Sequence, residues 1–192
     1  MRRDTIFSFL KDLSGVFVEI GTCWGGFAEW LKQNSSATAL ITIDPYRKFD
    51  TGYEDALNDM TQEQMDHKFQ LVAQRLLPQG IMMMRETSYK AAAFFKDESI
   101  DFLYIDGNHS YSAVLTDLIR WWPKIKRGGY ICGDDVEDIH VAHDDEGNLF
   151  MQHSEGGYGK YGVAQAIEDF SHVCPQFHFT KIENQFVGRK SF

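Results

Sequence analysis

Val16-Phe-Val-Glu-Ile20, followed at once by Gly21-Thr-Cys-Trp-Gly25-Gly26, is the stretch on which the fold turns. Its first part is apolar, β-branched or aromatic, the composition of a buried strand. Its second part is a glycine turn leading into a helical pattern from Trp24 to Gln33. A strand that passes through a tight turn into a helix is the opening half of a unit that winds a parallel sheet.

The same rhythm repeats outward. Ala39-Leu-Ile-Thr-Ile43 reads as a second strand, Glu54 to Leu77 as one or two helices closed by Pro78, and Ile81 to Met84 as a third strand. Tyr89 to Phe95 is a short helix, Ile100 to Ile105 a fourth strand, and Tyr111 to Trp122 a helix stopped by Pro123. Gly128-Gly129 turns into a fifth strand, Tyr130-Ile-Cys132, and Val163 to Phe170 is a helix. Phe177 to Ile182 and Gln185 to Val187, separated by Glu183-Asn184, form a closing antiparallel hairpin. The stretch 138 to 161 shows neither period and is expected to be a long loop, with His140, His143 and His153 facing substrate or solvent. The expected fold is α/β, a Rossmann-like doubly wound, mostly parallel sheet of seven strands, with residues 1 to 192 as one domain.

Composition narrows the function classes. A chain of 192 residues with 43% hydrophobic and 14% aromatic content can bury its own core. Its 19 basic against 28 acidic residues give a net charge of −9, which repels phosphodiester backbones, and no basic cluster offsets it. No apolar run approaches the ~20 residues of a membrane span, and no secretory core follows Met1, so a cytoplasmic location is expected. Cys23, Cys132 and Cys174 lack metal or disulfide spacing and are expected to be small buried residues. Trp24, Trp121, Trp122 and Met82 to Met84 are likewise expected in packed positions.

In open α/β sheets ligands sit beyond the carboxyl ends of the strands. After the first strand, Cys23 stands where a dinucleotide fingerprint needs glycine, which argues against NAD and FAD. Asp44, ending the second strand, is placed to accept hydrogen bonds from two ribose hydroxyls, or else to cap the turn at Pro45. Thr87 and Ser88 follow the third strand, and Ser88 could also cap the next helix.

After the fourth strand comes Asp106-Gly-Asn-His109-Ser-Tyr111, and after the fifth Asp134-Asp135. If these strands are neighbours, three carboxylates crowd one edge, where a cation is the economical neutraliser. Oxygen ligands select a hard ion, Mg²⁺, with Mn²⁺ or Ca²⁺ as alternatives. Taken singly, each acid also suits an ordinary turn. His109, three residues after Asp106, carries an imidazole whose ordinary pKa of ~6.5 suits a general base.

The Glu19-x-Gly21-x-x-x-Gly25 pattern resembles the first motif of class I S-adenosylmethionine-dependent methyltransferases. Together with Ile43-Asp44, Tyr104-Ile-Asp-Gly-Asn-His-Ser-Tyr111 and Gly128-Gly-Tyr-Ile-Cys-Gly-Asp-Asp135, it is similar to the magnesium-dependent sugar O-methyltransferases of macrolide and aminocoumarin biosynthesis. The resemblance implies that Glu19, Gly21, Thr22, Gly25, Asp44, Thr87, Ser88 and Asp106 meet S-adenosylmethionine, with adenine near Thr87 and Ser88. It further implies that Asp106, Asp134 and Asp135 hold Mg²⁺ and that His109 is the base. The implied activity is methyl transfer to a hydroxyl of a small molecule, such as a natural-product sugar, with homo-oligomer formation open. The rivals are a metal-dependent hydrolase using the same Asp and His cluster, and a non-catalytic adenosyl-binding subunit.

Overall fold

A computed structural model of the protein describes residues 8–49, 60–136, 141–143, 149–153, 157–158 and 162–191. Its strands are β1 (Ser14–Ile20), β2 (Ser36–Ile43), β3 (Ile81–Met84), β4 (Ile100–Ile105) and β5 (Ile125–Gly133), then β6 (Val141–His143), β7 (Leu149–His153), β8 (Gly157–Tyr158), β9 (Phe177–Ile182) and β10 (Gln185–Lys190). The helices are α1 (Gly26–Asn34), α2 (Gln62–Leu76), α3 (Ser88–Ala91), α4 (Tyr111–Trp121) and α5 (Val163–Val173). Seven strands make one sheet in the order β3-β2-β1-β4-β5-β10-β9. The first five are mutually parallel, and β10 runs antiparallel to both β5 and β9.

Both faces of the sheet are covered, which explains strands that read as continuous apolar runs. On one face Val18, Ile20, Leu103, Ile105 and Ile131 pack with Val114, Leu118 and Trp121 of α4 and Ile167 and Phe170 of α5. On the other, Phe17, Leu40, Phe102 and Tyr104 pack with Phe27 and Leu31 of α1 and Val72 and Leu76 of α2. Burying each such large side chain contributes roughly 1.5–3 kcal/mol before entropy is counted. Local chemistry sets the helix starts. Thr61 and Gln64 form a reciprocal capping box on α2, and Ser110 accepts the Ala113 N–H at the start of α4.

Several expectations are corrected. Gly128-Gly129 does not turn into β5 but lies inside it, where the pairing with β4 slips between Ile100 and Phe102. A Cβ on Gly129 would stand 3.0 Å from the Asp101 carbonyl oxygen, so the glycine marks close backbone approach within a bulged strand. The supposed loop 138 to 161 contains three short strands, β6 to β8, paired antiparallel. Runs of two to five residues are too short to show a period. His140 and positions 54 to 59 lie outside the described residues. Met82 is 49% exposed because β3 is an edge strand, whereas Trp121 and Trp122 are buried as expected. Trp24 is half exposed, and of the cysteines only Cys132 is fully buried. Among the described residues no helix is long and apolar enough to cross a membrane.

Candidate active site

The carboxyl ends of β1, β2, β3 and β4 open onto a cavity of about 570 Å³, within the range of small-molecule sites. Gly21, Asp44, Thr87, Ser88, Asp106 and His109 all line it. Gly21 has φ +93°, and a Cβ there would fall 1.7 Å from the Asp106 carbonyl oxygen. The ends of β1 and β4 touch at this point, with the Asp106 N–H donating to the Ile20 carbonyl at 2.8 Å.

Glu19, Thr22 and Gly25 are not among the lining residues. Glu19 and Thr22 are buried behind the wall, where the Thr42 hydroxyl donates to Glu19 and shares a hydrogen bond with the Thr22 hydroxyl. They brace the glycine turn from below. Gly25, at φ +74°, caps α1, and a Cβ there would meet Leu76 Cδ1 at 2.9 Å. Its role is to let α2 approach.

Asp44 joins two loops. Its Oδ2 accepts the Cys23 N–H at 2.9 Å and its Oδ1 the Tyr46 N–H at 2.8 Å. The turn-capping role and the cavity-facing role are therefore both present, since each oxygen keeps a further lone pair. Burial pushes the Asp44 carboxyl above its ordinary pKa, opposed by those two N–H groups and by the charges of Lys68 and Arg85. Lys68 is itself buried, with Nζ 3.4 Å from Cys23 Sγ and 4.6 Å from the centre of the Trp24 ring. Lys68 and the Tyr46 hydroxyl, which donates to the Cys23 carbonyl at 2.9 Å, carried no sequence signal.

At the β3 side, Ser88 does not cap α3, because Thr87 holds that position. The Ser88 hydroxyl instead donates to Asp117 Oδ1 and accepts from Trp121 Nε1 at 2.8 Å. Asp117 also lines the cavity and is only 5% exposed. Burial pushes its pKa up to about 7, against the Ser88 hydrogen bond.

At the opposite end Asp106, His109 and Asp135 offer ligand atoms that all lie within 4.8 Å of one another. His109 Nε2 is 3.5 Å from Asp106 Oδ1, and Nδ1 is 3.2 Å from Asp135 Oδ2. The structure turns Asp134 toward the sheet. Its Oδ2 accepts the Tyr104 hydroxyl at 3.3 Å and its Oδ1 the Asp135 N–H at 2.9 Å. Asp135 adopts φ +61°, a left-handed conformation that Asp tolerates better than most residues, and its Oδ1 accepts from Asn184 Nδ2 at 2.9 Å. Asn184 was legible in the sequence only as a turn residue. The distance of 49 residues hides its second task.

The strand order, the reversed β10 and a cavity at the carboxyl edge together define the class I methyltransferase fold. The chain belongs to the methyltransferase domain family, whose model matches residues 18–136. It is 32% identical over 143 residues to uncharacterized protein R132 of Acanthamoeba polyphaga mimivirus, covering 69% of this chain and 59% of that protein. Among solved structures it is similar to a Corynebacterium glutamicum protein (TM-score 0.65, 11% identity, 99% of this chain and 81% of that one). A second is an S-adenosylmethionine-dependent methyltransferase from Mesorhizobium loti (TM-score 0.57, 13% identity, 96% and 94%). A third is the methyltransferase MycE of the mycinamycin biosynthetic pathway, solved with Mg, S-adenosylhomocysteine and mycinamycin VI (TM-score 0.57, 14% identity, 98% and 48%). At these identities the structural likeness is one of fold.

Proposed function

We propose that this protein transfers a methyl group from S-adenosylmethionine to a hydroxyl of a small molecule, in a reaction that uses Mg²⁺. The observation that carries the reading is a single cavity lined by Asp44 at the end of β2 and by Asp106 and His109 beyond β4, with Asp135, beyond β5, grouped with the last two. When bound, the cofactor supplies an electrophilic methyl carbon and the cation favours the ionised hydroxyl.

The chain's own residues do the rest. Asp44 accepts the ribose hydroxyls with the lone pairs that Cys23 and Tyr46 leave open, and Gly21 keeps the floor low enough for the sulfur-bearing chain. Asp106 and Asp135 fit a hard cation, since two carboxylates converge on one imidazole and only oxygen and nitrogen are offered. Asp134, whose oxygens accept from the Tyr104 hydroxyl and the Asp135 N–H, stands outside that group and steadies Asp135. His109 takes the hydroxyl proton at one ring nitrogen while a carboxylate orients the other, Asp106 standing beside Nε2 and Asp135 beside Nδ1. Holding the oxygen near ~3 to 3.5 Å from the methyl carbon supplies much of the rate.

The acceptor class that the resemblance supports is a sugar or another natural-product hydroxyl, acted on by a single domain in the cytoplasm. The net charge of −9 fits a small-molecule acceptor better than a nucleic acid. Calorimetry with S-adenosylhomocysteine, with and without MgCl₂, tests the reading. Saturable binding supports it, and an absence of heat under both conditions overturns it.

A further inference from the structure

The proposed mechanism leaves one buried cation of the cavity unused. Lys68, on α2, lines the cavity and is only 2% exposed. We infer that Lys68 seats an acidic group of the acceptor, so that the site selects a hydroxyl compound carrying a carboxylate or a phosphate. The inference rests on the methyl-transfer reading above.

The surroundings of the ammonium point to an anion. An ammonium taken out of water needs acceptors or an opposite charge in place of that water. Lys68 has three N–H donors, and its one hydrogen bond among the described residues goes to Cys23 Sγ at 3.4 Å, a weak acceptor. The Trp24 and Tyr46 rings, with centres 4.6 and 5.9 Å from Nζ, offer only their faces. Among the described residues no carboxylate lies within ion-pair distance of Nζ. The charge of Lys68 does reach Asp44, but both oxygens of that carboxylate already hold backbone N–H groups.

The location suits the acceptor. Lys68 lines the cavity together with Arg47 and the apolar surface of Tyr46, Phe49 and Met65, on the β2 and α2 side. Asp106 and His109 follow β4, and β1 separates β2 from β4 in the sheet. Two strand spacings, about 10 Å, are within the reach of one small molecule. An acceptor held by its acid at Lys68 thus presents its far end to His109, and charge recognition selects which hydroxyl is methylated. The methyl donor is a poor source for the anion, since its sulfonium and α-ammonium groups are repelled by both cations. In a chain of net charge −9, an anionic acceptor also needs such local cations to enter.

The test uses the full chain saturated with S-adenosylhomocysteine and melted at constant ionic strength, with sodium acetate or inorganic phosphate replacing chloride. Wild type should show a saturable rise in Tm of about 3–6 °C with at least one of the two, the size expected of a probe at about ten times its Kd, and Lys68→Met should lose it. Acetate as the effective probe assigns a carboxylate, and phosphate assigns a phosphate ester. No rise in wild type, or an equal rise in the variant, overturns the inference. In chloride Lys68→Met should melt at or above the wild-type temperature, because an apolar chain of similar length replaces a buried charge. A variant that melts several degrees lower, or does not fold, makes Lys68 a structural counter-charge and also overturns the inference.

Calorimetry identifies the source of the acid. S-adenosylhomocysteine affinity within twofold of wild type in Lys68→Met supports the acceptor. A loss of tenfold or more, with 5′-methylthioadenosine, which lacks the amino-acid tail, unaffected, gives the anion to the donor and overturns the assignment. Should wild type bind neither nucleoside, the methyl-transfer reading itself fails, whatever acetate and phosphate do.

Discussion

Asn184, in the two-residue turn between β9 and β10, donates from Nδ2 to Oδ1 of Asp135 at 2.9 Å, while its carbonyl accepts the Val136 N–H at 3.0 Å. Two bonds from one residue thus fix both the side chain and the backbone exit of Asp135, which needs fixing because it stands at φ +61°. Asn184→Ala removes the side-chain bond alone. We expect kcat to fall about tenfold with KM for the cofactor and S-adenosylhomocysteine affinity within twofold of wild type. Asn184→Asp, which sets two carboxylates together, should be worse. Steady-state kinetics and calorimetry check this, and a parallel rise in the cofactor KM would assign Asn184 a general structural role.

The cluster at the ends of β4 and β5 makes a separate prediction about cations. Asp106→Asn or Asp135→Asn should weaken Mn²⁺ binding to the resting protein by at least tenfold, read by titration calorimetry or paramagnetic relaxation. His109→Ala should abolish turnover while S-adenosylhomocysteine still binds. Wild-type turnover in that variant removes His109 from the mechanism.

Gly21, in the turn after β1, and Gly26, the first residue of α1, stand five residues apart and should respond oppositely to alanine. At Gly21 the added carbon meets the Asp106 carbonyl oxygen and the backbone is left-handed, so Gly21→Ala should cost about 3 kcal/mol or more. For a chain of this size that lowers Tm by roughly 6–12 °C. At Gly26, inside α1, a Cβ meets nothing within 4 Å, and Gly26→Ala should be neutral or stabilise by up to ~1 kcal/mol. Calorimetric melts of both variants provide the comparison.

Asp117 also sets a pH dependence. Its folded pKa of about 7 lies above the ordinary 3.8, so the folded state holds its proton over a window where the unfolded chain has released it. The stability contributed by the neutral carboxyl is complete below about pH 4 and is lost as pH rises through about 7, up to roughly 4 kcal/mol in all. Asp44 is shifted in the same direction, so the informative quantity is the difference between proteins. The Tm of Asp117→Asn relative to wild type should rise between pH 5 and pH 8. A difference that stays constant with pH would contradict the burial of this carboxyl.

The sheet was readable because burial on both faces writes each strand as an apolar run, and Ile81 to Met84 and Ile100 to Ile105 end where the sequence says they do. The acids at strand ends were readable because topology delivers strand ends to one edge. The contacts that organise those acids were not. Ser88 to Asp117, Asn184 to Asp135 and Lys68 to Cys23 join residues 29, 49 and 45 positions apart, and no period or local motif encodes such pairs. Glu19 and Thr22 carried the right pattern for an indirect reason, since their side chains support the glycine turn from within the sheet. β6 to β8 escaped notice because their pairing, not their composition, makes them strands.

The reversal of β10 has a geometric corollary for the catalytic rim. A wholly parallel sheet can present there only loops that run away into helices, whereas one inverted strand brings a hairpin tip to the same rim, beside Asp135. With only Glu183 and Asn184 in that tip, the linkage has no slack. Insertions there would uncouple the carboxylate from the sheet without unravelling it, so they should lower turnover as Asn184→Ala does while leaving the melting temperature nearly unchanged.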